Sequence, residues 1–124
     1  MKLACFLFIS LILLFSCQKK KYKPYIGSYS CEVTEHLDST GFAFDSTYTA
    51  IEELISKDSK NMQFIDLPIP YKYISSEGYF ADENFVSGFI WGRQITLRND
   101  SVIYYHHEAT SEMNWYIRYK GKKI

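Results

Sequence analysis

The 124-residue sequence predicts an all-β protein: a small antiparallel meander of about eight strands, closed as a barrel or folded as a sandwich, after an N-terminal signal helix. Three observations predict it. Eleven Tyr and nine Phe, with frequent Ile, Val and Thr, suit pleated, half-buried surfaces. Apolar and polar side chains alternate with period two along much of the chain. Turn signals recur at short intervals, and no helical pattern of useful length lies between them.

The first strand covers residues 28–36, with Tyr29, Cys31 and Val33 on one face and Ser30, Glu32, Thr34 and His36 on the other. A polar loop is expected over 37–41. Residues 45–55 follow as a strand that groups Thr49, Ile51 and Ile55. Ile51, Leu54 and Ile55 also have helical spacing, but Thr47, Tyr48 and Thr49 lead into them without a break, which favours a strand. Lys57-Asp58-Ser59-Lys60 reads as a turn, and 61–67 as a returning strand. Pro68 and Pro70 lack backbone donors, so they mark a corner or an edge. Residues 71–75 read as a short strand, and Ser76-Glu77-Gly78 as a turn. In 85–91 both faces are largely apolar, which predicts a central strand broken by Gly92. Ile95 and Leu97 point inward from 93–98. Asn99-Asp100 is a tight-turn signal; its overlap with a glycosylation sequon at Ser101 is read as accidental. Strands 101–108 and 114–120 complete the meander, with Trp115, Ile117 and Tyr119 on one face.

The chain begins differently. Met1 and Lys2 precede an apolar run from Leu3 to Phe15, which ends at Ser16-Cys17. A positive start, an apolar stretch and a small residue before a cleavage point make a secretory signal peptide. The run is thirteen residues long, short of the roughly 20 needed to span a bilayer. Leu14-Phe15-Ser16-Cys17 resembles the lipobox of bacterial lipoproteins. The resemblance implies that Cys17 is acylated with fatty acid such as palmitate, and that cleavage before it makes Cys17 the new N-terminus. Gln18 in place of Asp after the cysteine favours the outer membrane. The expected organisation is a lipoprotein signal over 1–16, a lipidated cysteine and basic tether over 17–24, and one β-domain over 25–124. Cys5 leaves with the signal, so Cys31 is the single thiol apart from Cys17. No internal disulfide is available, and the alternation with Tyr29 and Val33 makes Cys31 a small buried apolar residue.

Net charge is zero, but it is unevenly distributed. Lys19, Lys20, Lys21 and Lys23 follow Cys17, and Lys120, Lys122 and Lys123 close the chain. All fourteen acidic residues lie between, with only six basic ones, so the body carries a charge near −8. An acidic body with basic ends excludes nucleic acid as a partner, which would require a basic stripe along the folded face. Beside a membrane, each tether lysine contributes on the order of 1 kcal/mol against anionic head groups. As a solvated spacer, the same run needs no such role.

Gly27-Ser28-Tyr29 in the first strand and Arg118 in the last resemble the Gly-x-Trp opening and late Arg of lipocalin-like small β-barrels, with Tyr29 in place of Trp. The resemblance covers these two spots and implies closure of the first strand against the last.

Candidate functional residues are few. Tyr104, His106 and Glu108 alternate on one expected polar face, and Tyr116 alternates with Asn114 and Arg118. Exposed aromatic rings beside carboxylates and amides suit stacking on a glycan or packing against an envelope protein. Cross-strand pairing within the sheet also accounts for them. His106 and Glu108 would supply two metal ligands, with His36 as a third if the first and last strands close, but the spacing is no zinc signature. Gly-x-Ser-x-Gly is absent, and the adjacent carboxylates Glu52-Glu53 and Asp82-Glu83 face opposite sides of a strand. No cofactor and no catalytic residue are implied. Three readings follow: a lipid-anchored binding or structural module; a periplasmic inhibitor or chaperone-like module that covers a partner through a sheet edge; and a metal-dependent or hydrolytic enzyme built on His36, His106 and Glu108.

Overall fold

The computed structural model of the chain describes residues 20–86 and 88–124; the signal segment and Cys17 lie outside the described residues. Eight strands make one antiparallel sheet: β1 Gly27–Ser39, β2 Phe42–Ser56, β3 Asn61–Phe64, β4 Leu67–Pro70, β5 Tyr79–Val86, β6 Phe89–Arg98, β7 Ser101–Thr110 and β8 Met113–Lys123. The order is β4-β3-β2-β1-β8-β7-β6-β5. Sequence neighbours therefore pair throughout, except across β4 and β5, and the chain ends join through β1 and β8. The result is a nearly closed, barrel-like sheet with one unpaired seam, and not a two-sheet sandwich. Closure of the first strand against the last runs from Tyr29 opposite Lys123 to Ser39 opposite Met113.

Tyr29, Cys31 and Val33 point inward, as their alternation predicts, and each is fully buried. They meet Leu54 of β2, Met62 and Phe64 of β3, Leu67 and Ile69 of β4, Ile95 and Leu97 of β6, and Val102 and Tyr104 of β7. Phe64, Tyr104 and Tyr119 pack edge-on or tilted at centroid distances of 5.7–6.5 Å, the arrangement that aromatic quadrupoles favour. Arg118 lies opposite Thr34 on the exposed face, away from Tyr29. It is Lys123 that lies beside Gly27 and opposite Tyr29.

Several boundaries differ from expectation. The predicted loop 37–41 is mostly strand: β1 runs to Ser39 and turns at Thr40-Gly41, where Gly41 has φ 81°. Thr49, Ile51 and Ile55 do share a face, but it is the outer one, and Leu54 is the core residue of β2. The expected strand 61–67 is a hairpin, β3–β4, turning at Ile65-Asp66. Pro68 and Pro70 sit in β4, an edge strand that tolerates their missing donors. The expected strand 71–75 is instead a 3-10 turn, Tyr71–Tyr73. The run 85–91 is not a central strand. It folds back between Val86 and Phe89, and Gly92 continues β6.

The tether expected over 17–24 is only partly separate. Lys20, Lys21 and Lys23 are exposed, but Tyr22 is buried, stacked on Tyr71 at 5.8 Å and 18°. Pro24 lies at the start of the 3-10 turn Lys23–Tyr25, where a missing N–H is tolerated. Tyr29 Oη donates to Tyr25 O at 2.6 Å, and Lys123 Nζ to Pro24 O. The basic ends of the sequence thereby meet at one end of the sheet.

Candidate functional site

Strand register sorts the predicted site residues onto two faces. Tyr104, His106 and Glu108 point inward from β7, the same side as Val102. Tyr116 points outward from β8. Tyr104 is not a surface residue: it is 1% exposed and belongs to the core. His36 is on the outer face, opposite in orientation to His106 and Glu108, so the three cannot converge on one ion. Among the described residues no group of three His, Cys, Asp or Glu side chains is placed to hold a metal.

The inner row forms a polar layer above the core. His106 Nε2 lies 3.2 Å from Glu108 Oε1, and its ring meets Trp115 edge-on at 5.1 Å. Trp115 Nε1 donates to Glu35 Oε1 at 2.9 Å. Tyr104 Oη donates to Asp66 Oδ1 at 3.0 Å. Arg93 lies between Asp82 at 2.9 Å and Asp66 at 3.6 Å, with its guanidinium over Trp91. Burial first, then the Asp66 carboxylate, push the Tyr104 hydroxyl far above its ordinary value, against a smaller pull from Arg93. Cys31 is also pushed up by burial, and its Sγ–H points to Tyr29 O; it is an inert core thiol.

Asp66 has a mechanical role here. Its turn belongs to β3–β4, while Tyr104 and Arg93 belong to β7 and β6. These contacts bridge the two halves of the sheet where β4 and β5 do not pair. Ile65 takes φ 56° to make the turn, a costly conformation for a β-branched residue. Gln63 Nε2 donates to Ile65 O at 3.0 Å and helps hold it. Replacing Asp66 with Ala should lower stability by about 1–2 kcal/mol, since Asp66 is largely exposed and its ion pair is screened. Asp66→Asn keeps the acceptor for Tyr104 and should cost less. Urea denaturation of the two variants measures the difference.

The outer face carries the more continuous feature. His36 on β1 stacks on Tyr116 of β8 at 5.2 Å and 25°. Tyr116 lies 5.7 Å from Tyr105 of β7, and Tyr105 6.1 Å from His107. Four rings thus form a band across three strands. His36 Nδ1–H donates to Asp45 at 2.6 Å, and His107 Nε2–H to Asn114 Oδ1 at 2.7 Å. These bonds fix both imidazole planes and leave His107 Nδ1 as an acceptor. Burial first, then Tyr116, raise the Tyr105 hydroxyl above its ordinary value, with Arg118 opposing, so it remains a donor at neutral pH.

Beside the band lies an open hollow of about 520 Å³, bounded by Tyr105, His107, Gln94, Glu83 and Ile90. Its floor is Gly92, placed between Glu83 and His107 in register. A Cβ there would come within 3.2 Å of Glu83 Cγ. The missing side chain makes the depression. Gln94 Oε1 accepts from Tyr79 Oη at 2.8 Å, which leaves the amide nitrogen of Gln94 to donate. The hollow therefore offers an aromatic wall, an amide donor, and imidazole and carboxylate acceptors.

Of the residues predicted to bind a ligand only Tyr116 belongs to this outer site; His36, expected as a metal ligand, joins it as a stacked ring. Tyr105, His107, Gln94 and Gly92 were not singled out. Both phases of β7 are mixed, with Val102, Tyr104 and His106 against Ile103, Tyr105 and His107, so parity alone could not separate core from surface. The usable signal was Gly92 flanked by bulky residues, which read as a strand break.

Fold and site together define a small antiparallel barrel-like domain with an aromatic outer band and no metal-ligating cluster among the described residues. No protein-family model matches the chain, and neither the curated proteins nor the solved structures compared with it give a match.

Proposed function

We propose that the protein is a lipid-anchored lipoprotein of the cell envelope, held in the outer membrane through Cys17, whose β-domain binds an envelope glycan on its outer aromatic band. The observation that carries the binding reading is the four-ring band beside the hollow over Gly92. A pyranose presents a C–H face and a rim of hydroxyls. Tyr105 offers a plane for the first, and Gln94, His107 and Glu83 offer donors and acceptors for the second. The lipobox Leu14-Phe15-Ser16-Cys17 supports the anchor. The exposed Lys20, Lys21 and Lys23 and the terminal lysines of β8 support a membrane-facing basic end. His36 lies nine residues along β1 from Gly27, a strand length of roughly 30 Å. The band thus lies far from that end, where a ligand has access.

The test combines two measurements on the full-length chain. Labelling with an alkynyl palmitate should mark the protein and should be lost in Cys17→Ala. Titration with soluble oligosaccharides from peptidoglycan and from outer-membrane polysaccharide should show saturable binding. Tyr105→Ala should weaken that binding tenfold or more, about 1.4 kcal/mol. Tyr104→Phe, altered only inside the core, should leave it unchanged. Failure of every sugar fraction to bind, or undiminished binding by Tyr105→Ala, removes the glycan reading.

A further inference from the structure

The geometry points to a second interaction surface: the free edge of β2, from Ala43 to Glu53, pairs with an extended, alternately apolar and basic segment of a partner protein. β2 is long, but β3 pairs only with Leu54, Ile55 and Ser56. No described residue pairs with the rest of that edge. Lys57 N–H donates to Asn61 O on the β3 side. Antiparallel alternation then turns the backbone groups of Ala43, Asp45, Thr47, Thr49, Ile51 and Glu53 toward the open side. Natural edges are blunted by Pro, Lys or a bulge. β4 has Pro68 and Pro70; from Phe42 to Ser56 there is no Pro, Lys or Arg. Among the described residues, five of the ten exposed large apolar side chains are on this one strand: Phe42, Phe44, Tyr48, Ile51 and Ile55.

Phe42, Phe44 and Tyr48 share the inner face, opposite Ser39, Leu37 and Val33. An added strand would extend the inner layer over them with its apolar residues. Its alternate side chains would face outward, beside Asp45 and Glu53. The hairpin β1–β2 contains six acidic residues and neither Lys nor Arg, so charge selects a basic segment. The same charge disfavours a second copy of this chain, whose β2 would bring its own acids.

The probe is an eleven-residue peptide alternating Val and Lys, labelled for fluorescence anisotropy, titrated against the full-length chain in neutral detergent. Saturable binding that weakens with salt is expected, with slowed amide exchange at residues 43–53. Thr49→Pro removes a donor that faces the free edge and spares the β1 ladder. It should retain the native circular dichroism spectrum and weaken the peptide at least tenfold. Should that variant misfold, Thr47→Lys tests the same edge by charge and should weaken the peptide similarly. Four results would overturn the inference: no saturation; equal binding of a Val–Glu peptide; undiminished binding by the folded edge variant; or concentration-dependent dimerisation that Thr49→Pro abolishes, which assigns the edge to a second copy.

Discussion

Gly121→Ala should destabilise the domain by about 2–3 kcal/mol, and Gly121→Val should prevent folding. Gly121 sits in β8 between Cys31 of β1 and Val102 of β7, where the sheet closes. A Cβ would meet Cys31 Sγ at 2.7 Å, Val102 Cγ1 at 2.8 Å and Tyr29 Cβ at 3.1 Å. Tyr29, Cys31 and Val102 are all fully buried, so none has room to retreat. Three strands would have to separate at the joint that holds the two ends of the chain together. Pairing the substitution with Cys31→Ala removes the Sγ that stands closest. The double variant should recover about 1 kcal/mol relative to the sum of the single effects, a coupling expected between residues in contact. Chemical denaturation of the four proteins in the cycle measures it. Strict additivity would show that Gly121 is required for some reason other than this contact.

Gly121 also marks a limit of sequence reading. Lys120-Gly121-Lys122-Lys123 reads as a basic tail, because three charges conceal one inward position. The strand continues through it, with the lysines at 120 and 122 outward and Gly121 in the core. β1 was legible for the opposite reason: polar and apolar residues alternate there without exception from Tyr29 to Thr34. The all-β class, the turn at Asn99-Asp100 and the edge character of Pro68 and Pro70 were legible on the same grounds. The hairpins at Ile65-Asp66 and between Val86 and Phe89 were not. Ile-Asp carries no turn signature, and its conformation is supported by contacts to Tyr104 and Arg93, distant in sequence. Apolar residues on both sides of Ser87-Gly88 read as one continuous strand and hid the reversal, although Gly88 has φ 79°.

The candidate site divides along the same line. Tyr116 was legible because Asn114 and Arg118 flank it with polar residues in phase. Tyr104 was misplaced because His106 and Glu108, in phase with it, imply a polar face. That face changes character along its length. It is closed core near Tyr104 and a layer of paired polar groups near Glu108, where β3 and β4 no longer cover it. Period-two alternation identifies faces, but it does not locate the height at which a barrel stops being filled.

Alkaline titration should unfold the protein between about pH 11 and 12, starting from pH near 10. Four tyrosines have raised values, and in three of them, Tyr29, Tyr104 and Tyr119, the shift is large. Tyr29 is pushed up to about 12 by burial, with smaller contributions from Tyr25, Asp100 and Cys31. Tyr104 is raised by burial and then Asp66, and Tyr119 by burial and then Tyr48. A tyrosine in the unfolded chain releases its proton near pH 10. The native state holds these protons more tightly, so the stabilisation is complete below pH 10. It is lost as pH rises toward and through the folded values. Each group contributes on the order of 1.4 kcal/mol per pH unit in that interval, with Tyr119 counting for less because it is only half-buried. By pH 12 the combined loss approaches the roughly 5–15 kcal/mol available to a domain of this size. The part of the tyrosinate absorbance near 295 nm that belongs to these three groups should therefore rise together with the loss of the β-sheet circular dichroism signal, after the exposed tyrosines have ionised. Tyr104→Phe removes one of the three groups and should make the transition shallower and move it to higher pH, measured relative to its own neutral stability. Completion of the absorbance rise with the sheet signal intact would show that these hydroxyls reach solvent without unfolding, and that the inner layer around Tyr104 and Asp66 is open to water.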